Sequence, residues 1–97
     1  MEYLYKMENQ HKLIKGFRDL SQVEIDLMNR IKAFGPQLQE LVNDVNQHLY
    51  NQYDNGDHDE CKRIDAANPD KWVKEGTIDL QKGLMAVTRA VAQPSFF

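Results

Sequence analysis

Between residues 27 and 49 apolar side chains recur in steps of three and four: Leu27, Met28, Ile31, Phe34, Leu38, Leu41, Val42, Val45 and Leu49. That spacing keeps side chains on one face of an α-helix. A start signal precedes the run. Ser21 followed three residues later by Glu24 is a capping box, and Leu20 and Ile25 are placed to close a hydrophobic staple across it. A long helix is therefore predicted to begin at Ser21. Gly35-Pro36 interrupts the run, because proline lacks the backbone donor and its ring strikes the preceding turn. The apolar phase continues beyond it, so the pattern predicts one kinked helix and not two independent ones.

Upstream, Leu13, Ile14 and Phe17 fit a short helix over residues 11–17, and residues 1–10 are a weakly patterned extension. Downstream, the periodicity dissolves from about residue 50 to 67. The polar, acidic, turn-rich stretch from Asn51 to Glu60 predicts a loop there, with room for fraying helix on each side. Asn68-Pro69-Asp70 then supplies the next start signal, with a favoured cap residue, a proline suited to the first helical position and an acid at the positive helix end. The second long helix is predicted from Pro69 to about Gln93, limited by Pro94.

This second helix carries two stripes. Val73, Thr77, Leu80, Leu84, Val87 and Val91 alternate steps of four and three, the seam expected against a partner helix. Gly76, Gly83 and Ala90 recur every seven residues on a neighbouring face. Each glycine costs about 1 kcal/mol of helix propensity relative to alanine, so the stripe implies close backbone approach, either inside the hairpin or between subunits. The C-terminal Ser95-Phe96-Phe97 either docks on a neighbouring subunit or hangs free. The predicted fold class is all-α: a short N-terminal helix plus a kinked antiparallel helical hairpin, one domain over residues 1–97. Two antiparallel helices share a single interface, and the apolar positions exceed one stripe per helix. Surplus apolar surface on a chain this short predicts a homo-oligomer.

Charge changes the picture by its distribution. The net value is −3 over 97 residues. Residues 34–70 hold eight Asp/Glu against two Lys/Arg, whereas residues 1–33 hold five against six and residues 71–97 two against four. The basic stripe that duplex nucleic acid requires is missing, but a few focused cations suffice for a small anionic ligand. Cys61 is the lone cysteine, so no intrachain disulfide forms, and a free thiol fits a reducing compartment. No apolar run reaches membrane-span length, and the N-terminus lacks the apolar core of a signal peptide. The expected location is cytoplasm.

Several catalytic patterns fall short. His58-Asp59 is the dipeptide of metal phosphohydrolases, but further His and Asp ligands on packed helices are not in evidence. Asp54, Asp57, Asp59 and Glu60 lack the spacing of a calcium loop, with Gly56 misplaced. Cys61 has no credible His partner, and neither a phosphate loop nor a nucleophile elbow occurs. The chain is expected to be neither an enzyme nor a metal protein, and to need no cofactor.

Two segments carry a resemblance. Leu13 to Lys32 fits G-[FY]-R-x-L-[ST]-x-x-E-I-x-L-x-N-x-I-K, and Lys71 to Pro94 contains D-L-Q-x-G-x-M-x-x-x-R-A. Together, over roughly half the chain, they resemble the phage anti-CBASS cyclic-oligonucleotide sponge family. The resemblance implies a compact homohexamer of interlocked hairpins. It also implies non-hydrolytic capture of cyclic dinucleotides between protomers, and in some members of cyclic trinucleotides where three protomers meet. Such capture starves the nucleotide-activated effectors of bacterial CBASS defence, and places the protein in the host bacterial cytoplasm. The acidic segment between the hairpin helices is long for the family.

The resemblance assigns the base-stacking aromatic to Phe17, the phosphate-contacting lysine to Lys32 and the trinucleotide-linked arginine to Arg89. The residues agree in kind. Phe17 offers a flat apolar face, and stacking on an aromatic contributes about 1–3 kcal/mol per base. A two-fold interface presents Lys32 twice to a two-phosphate ligand. Our own additions are Arg18 as a phosphate clamp or stacking plane, Ser21 and Gln22 at an anion-favouring helix N-terminus, and Thr88 beside Arg89. The plain alternatives are a core role for Phe17, a solvated surface lysine at Lys32 and a dipole-favoured arginine at Arg89. Two rival functions follow: a hydrolase of the same messengers, or a structural helical oligomer with no nucleotide ligand.

Overall fold

The computed structural model describes residues 18–95. The expected short helix over 11–17, the 1–10 extension and Phe96-Phe97 lie outside the described residues. Three helices follow in order: α1 Gln22–Asp54, α2 His58–Ala67 and α3 Pro69–Ala92. No strand occurs among the described residues.

α1 starts where its capping box places it. The Glu24 backbone N–H donates to Ser21 Oγ at 3.2 Å, and the Ser21 N–H donates back to Glu24 Oε1 at 2.8 Å. The helix then runs 33 residues with Pro36 inside it. Pro36 brings no N–H, so the carbonyl of Lys32 loses its helical donor. Gly35 eases the same junction, since it lacks the Cβ that the following proline ring would strike.

The expected acidic loop over residues 50–67 is corrected. α1 continues to Asp54, only residues 55–57 are non-helical, and α2 fills the rest. The reason is a second capping device. Asp57 has extended backbone (φ −74°, ψ −179°) and its side chain accepts the Glu60 N–H at 2.8 Å. Asp59 and Glu60 then sit in the first turn, where acids suit the helix dipole. At the far end Asn68 takes the left-handed conformation (φ 50°) and its N–H donates to the Ile64 carbonyl at 2.9 Å. That geometry closes α2 and turns the chain into α3 at once. α3 ends alike: Gln93 has φ 47° and donates to the Arg89 carbonyl at 2.8 Å, with Pro94 following.

Gly56 sits in the short break. A Cβ there would lie 3.0 Å from the Gln52 carbonyl oxygen and 3.1 Å from Glu60 Cγ. Gly56→Ala should therefore lower stability by about 1–3 kcal/mol, the usual cost of overpacking. A denaturant melt checks this, and an unchanged midpoint would show that the break relaxes freely.

The described residues divide into two compact units, 18–32 with 84–95 and 33–83. Each brings an α1 segment together with an α3 segment distant in sequence, as an antiparallel hairpin requires. Within them α1 presents Ile25, Met28, Ile31, Leu38, Val42 and Leu49 as a half-buried line. On α3 the line is Val73, Thr77, Leu84, Thr88 and Val91. Two seam positions are corrected: Leu80 and Val87 are exposed, and Thr88 sits inward instead. Thr88 tolerates this because its hydroxyl donates to the Leu84 carbonyl at 2.8 Å; Thr77 does the same to Val73 at 2.7 Å. Ile64 on α2 is the one buried apolar residue among those described. A second α1 stripe, Val23, Leu27, Phe34, Leu41 and Val45, stays exposed. At Gly76 and Gly83 an added Cβ meets nothing within 4 Å among the described residues, so packing inside the hairpin there does not demand glycine.

Candidate functional site

Arg18 organises the start of α1. Its Nη1 donates to Glu24 Oε1 at 3.1 Å and to the Asp19 carbonyl at 3.3 Å. Its Nη2 pairs with Glu24 Oε2 and donates to the Val91 carbonyl at 2.8 Å. One guanidinium thus ties the chain before α1 to both the α1 cap and the last turn of α3. Glu24 has two tasks, closing the Ser21 capping box and receiving the Arg18 fork. The Arg18 hydrogen bonds, then the Ser21 N–H, hold its carboxyl down to about 2. The Arg18 guanidinium is pushed up by the same hydrogen bond.

A carboxyl depressed in the folded chain contributes stability that is complete above its unfolded value, near 4.5, and disappears as pH falls toward about 2. Acid unfolding should therefore be steeper in the natural chain than in Glu24→Gln. The two melting temperatures should converge as pH drops from 5 to 2, a comparison that thermal melts at stepped pH make directly. Parallel curves would show that the pair contributes nothing.

The other predicted residues are placed as follows. Ser21 is the cap of α1, and Gln22, its first residue, donates from Nε2 to Asp26 Oδ1 at 2.8 Å. Arg18, Ser21 and Glu24 are brought together, with Gln22 beside them. Lys32 is exposed on α1, eleven residues beyond Ser21 and so about 16 Å along the axis. Within one chain Lys32 and the Ser21 end do not form one site. Thr88 faces the half-buried line with its hydroxyl bonded to Leu84, while the neighbouring Arg89 is exposed in the last turn of α3. Phe17 lies outside the described residues. Sequence reasoning missed that Arg18 answers Glu24 and reaches the Val91 carbonyl; the capping-box spacing flagged Glu24 only as a helix-start residue.

Charge follows the two units. The described residues 18–32 and 84–95 hold four Lys/Arg against three Asp/Glu, and residues 33–83 hold five against ten. All the basic candidates, Arg18, Lys32 and Arg89, fall in the first. His58 and Asp59 form the first turn of α2, and no group of three or more His, Cys, Asp or Glu able to hold a metal ion occurs among the described residues. The Cys61 thiol lies 3.3 Å from the Tyr53 carbonyl oxygen. No described helix is long and apolar enough to cross a membrane.

No family model matches the sequence. Among known proteins the chain is similar to anti-CBASS protein 2 of Pseudomonas phage JBD67, with 36% identity over an alignment of 105 residues. The alignment covers 91% of this chain and 97% of that relative.

Proposed function

The chain belongs to the anti-CBASS protein 2 family, and from that premise we propose that it serves phage anti-defence by capturing cyclic oligonucleotide messengers without cleaving them. The observation that carries this reading is the likeness along nearly the whole of both chains. The ligands are cyclic dinucleotides, and cyclic trinucleotides at a second type of site. The protein works as a homo-oligomer, a hexamer on the family pattern, and each dinucleotide lies between protomers.

The geometry supports a site built by two chains. Lys32 and the Ser21 end of α1 are about 16 Å apart in one chain, so one protomer offers Lys32 where its partner offers the start of α1. Phe17 stacks a base, Lys32 neutralises a phosphate, and the free N–H groups beside Ser21 and Gln22 favour the anion. Arg18 is the residue whose assignment changes. Its fork is already engaged by Glu24 and Val91, so it acts by fixing the backbone next to Phe17. Arg89, beside Thr88, serves the trinucleotide about a three-fold axis. Capture of this kind uses binding energy alone and needs neither metal nor nucleophile.

The test is to mix the protein with a cyclic dinucleotide, remove unbound ligand, denature, and chromatograph what is released. Intact cyclic ligand is expected in stoichiometric amount, with or without chelator. Linear products would make the protein a hydrolase. A folded, oligomeric protein that retains no nucleotide would leave a structural oligomer.

A further inference from the structure

The acidic segment also borders an open cavity that the nucleotide reading does not use. Its volume is about 340 Å³, within the range of small-molecule sites. Leu49, Tyr50 and Tyr53 of α1, Ile64 and Asp65 of α2 and Pro69 of α3 line it. Its apolar part is Ile64, the one buried apolar residue among those described, with the half-buried Leu49 and Pro69. Tyr50 and Tyr53 contribute aromatic rings that are substantially exposed. The Tyr53 hydroxyl donates to Asp65 Oδ2 at 3.3 Å, and Asp65 raises the Tyr53 phenol, keeping it a donor. Asp70 also borders the cavity but pairs outward with Lys74 at 2.8 Å. No lysine or arginine lines the cavity, and residues 33–83 carry twice as many acids as Lys/Arg.

This chemistry selects a ligand by charge. A cyclic nucleotide brings phosphates next to Asp65 and Asp70 and is repelled. A cation is attracted, since aromatic faces beside a carboxylate are a recurrent environment for ammonium groups. The carbonyl end of α2 and the N-terminal end of α3 both border the cavity and oppose each other, so Asp65 sets its sign. The apolar wall asks for methylene groups.

We propose that this cavity is a second ligand site that takes a small alkylammonium ion. Its ammonium sits between Asp65 and the tyrosine rings, and its aliphatic chain lies against Leu49, Ile64 and Pro69. The site shares no residue with the proposed nucleotide pocket.

Isothermal titration of the full chain with 1,5-diaminopentane at fixed ionic strength tests it, with ammonium chloride and glutarate as controls. The diamine is expected to saturate with Kd at or below about 1 mM; ammonium alone binds far more weakly and the dicarboxylate not at all. Asp65→Asn keeps the shape of the side chain and should weaken the diamine by about tenfold, which corresponds to ~1.4 kcal/mol. Tyr53→Phe keeps the ring and should bind nearly as the natural chain does, while Tyr53→Ala should not. Circular dichroism and cyclic dinucleotide titration of Asp65→Asn are expected unchanged, so a failure of this site is separable from a failure of the sponge reading. No saturable heat up to on the order of 10 mM diamine, or equal affinity in natural chain and Asp65→Asn, overturns the proposal.

Discussion

Phe17→Ala and Lys32→Ala are each expected to remove cyclic dinucleotide binding from an isothermal titration while leaving the helical content intact. The size of the effect comes from symmetry. If the pocket lies on a two-fold axis, one substitution deletes two side chains from each site. Stacking on an aromatic contributes about 1–3 kcal/mol per base, so losing both rings costs about 2–6 kcal/mol, a weakening of roughly 30-fold to more than 10,000-fold. A hydrogen bond to a charged group contributes about 1.5–3 kcal/mol, and Lys32 would supply two to the phosphates. Lys32→Ala removes no contact of the Arg18–Glu24–Val91 network, and Lys32 is exposed. Arg89→Ala separates the two site types: dinucleotide affinity should hold while trinucleotide affinity falls. Natural-chain affinity in both Phe17→Ala and Lys32→Ala would move the pocket elsewhere. Silence of the natural chain across the whole ligand panel would leave a helical oligomer without a nucleotide.

Arg18 marks where reading the sequence stops. An arginine beside an aromatic and ahead of a helix N-terminus has the composition of a phosphate clamp, and nothing local opposes that reading. The carboxylate that claims it is Glu24, visible in sequence only as the capping-box partner of Ser21. The other acceptor, the Val91 carbonyl, is 73 positions away and belongs to the backbone, which no residue pattern reports. The missed helix has the opposite lesson. Asp57 and Glu60 carry the same cap spacing as Ser21 and Glu24, but four acids and a glycine in seven residues suggested solvated loop. The signal was present and the composition outweighed it. Thr88 shows a third kind of limit. A heptad template sends Val87 inward because it counts hydrophobicity, whereas the helix lets Thr88 occupy the half-buried line once its hydroxyl is bonded to Leu84. What local pattern determines, the start of α1, its passage through Pro36 and the extent of α3, was legible. What depends on a distant acceptor was not.

Phe34→Glu combined with Leu41→Glu is expected to break the assembly into single chains of 11.3 kDa, read by sedimentation, with loss of dinucleotide binding. The two side chains are seven residues apart on α1, with Leu27 one further repeat upstream, and are 53% and 56% exposed. That exposure makes the experiment decisive. In a protein that works as one chain, two polar substitutions at exposed positions change stability by about 0.5 kcal/mol or less each. In an assembly that covers this stripe, each copy loses about 1.5–3 kcal/mol of apolar burial per side chain and must also desolvate a carboxylate. The stripe itself points to the second case: Val23, Leu27, Phe34, Leu41 and Val45 lie exposed along one helix. In the proposed assembly Lys32 of one protomer meets the α1 start of another, so assembly and ligand capture should fail together. An Phe34→Glu, Leu41→Glu chain that stays assembled would exclude this stripe from the interface. A natural chain that sediments as a monomer yet still binds dinucleotide would require the pocket to be rebuilt within one protomer, across the roughly 16 Å between Ser21 and Lys32.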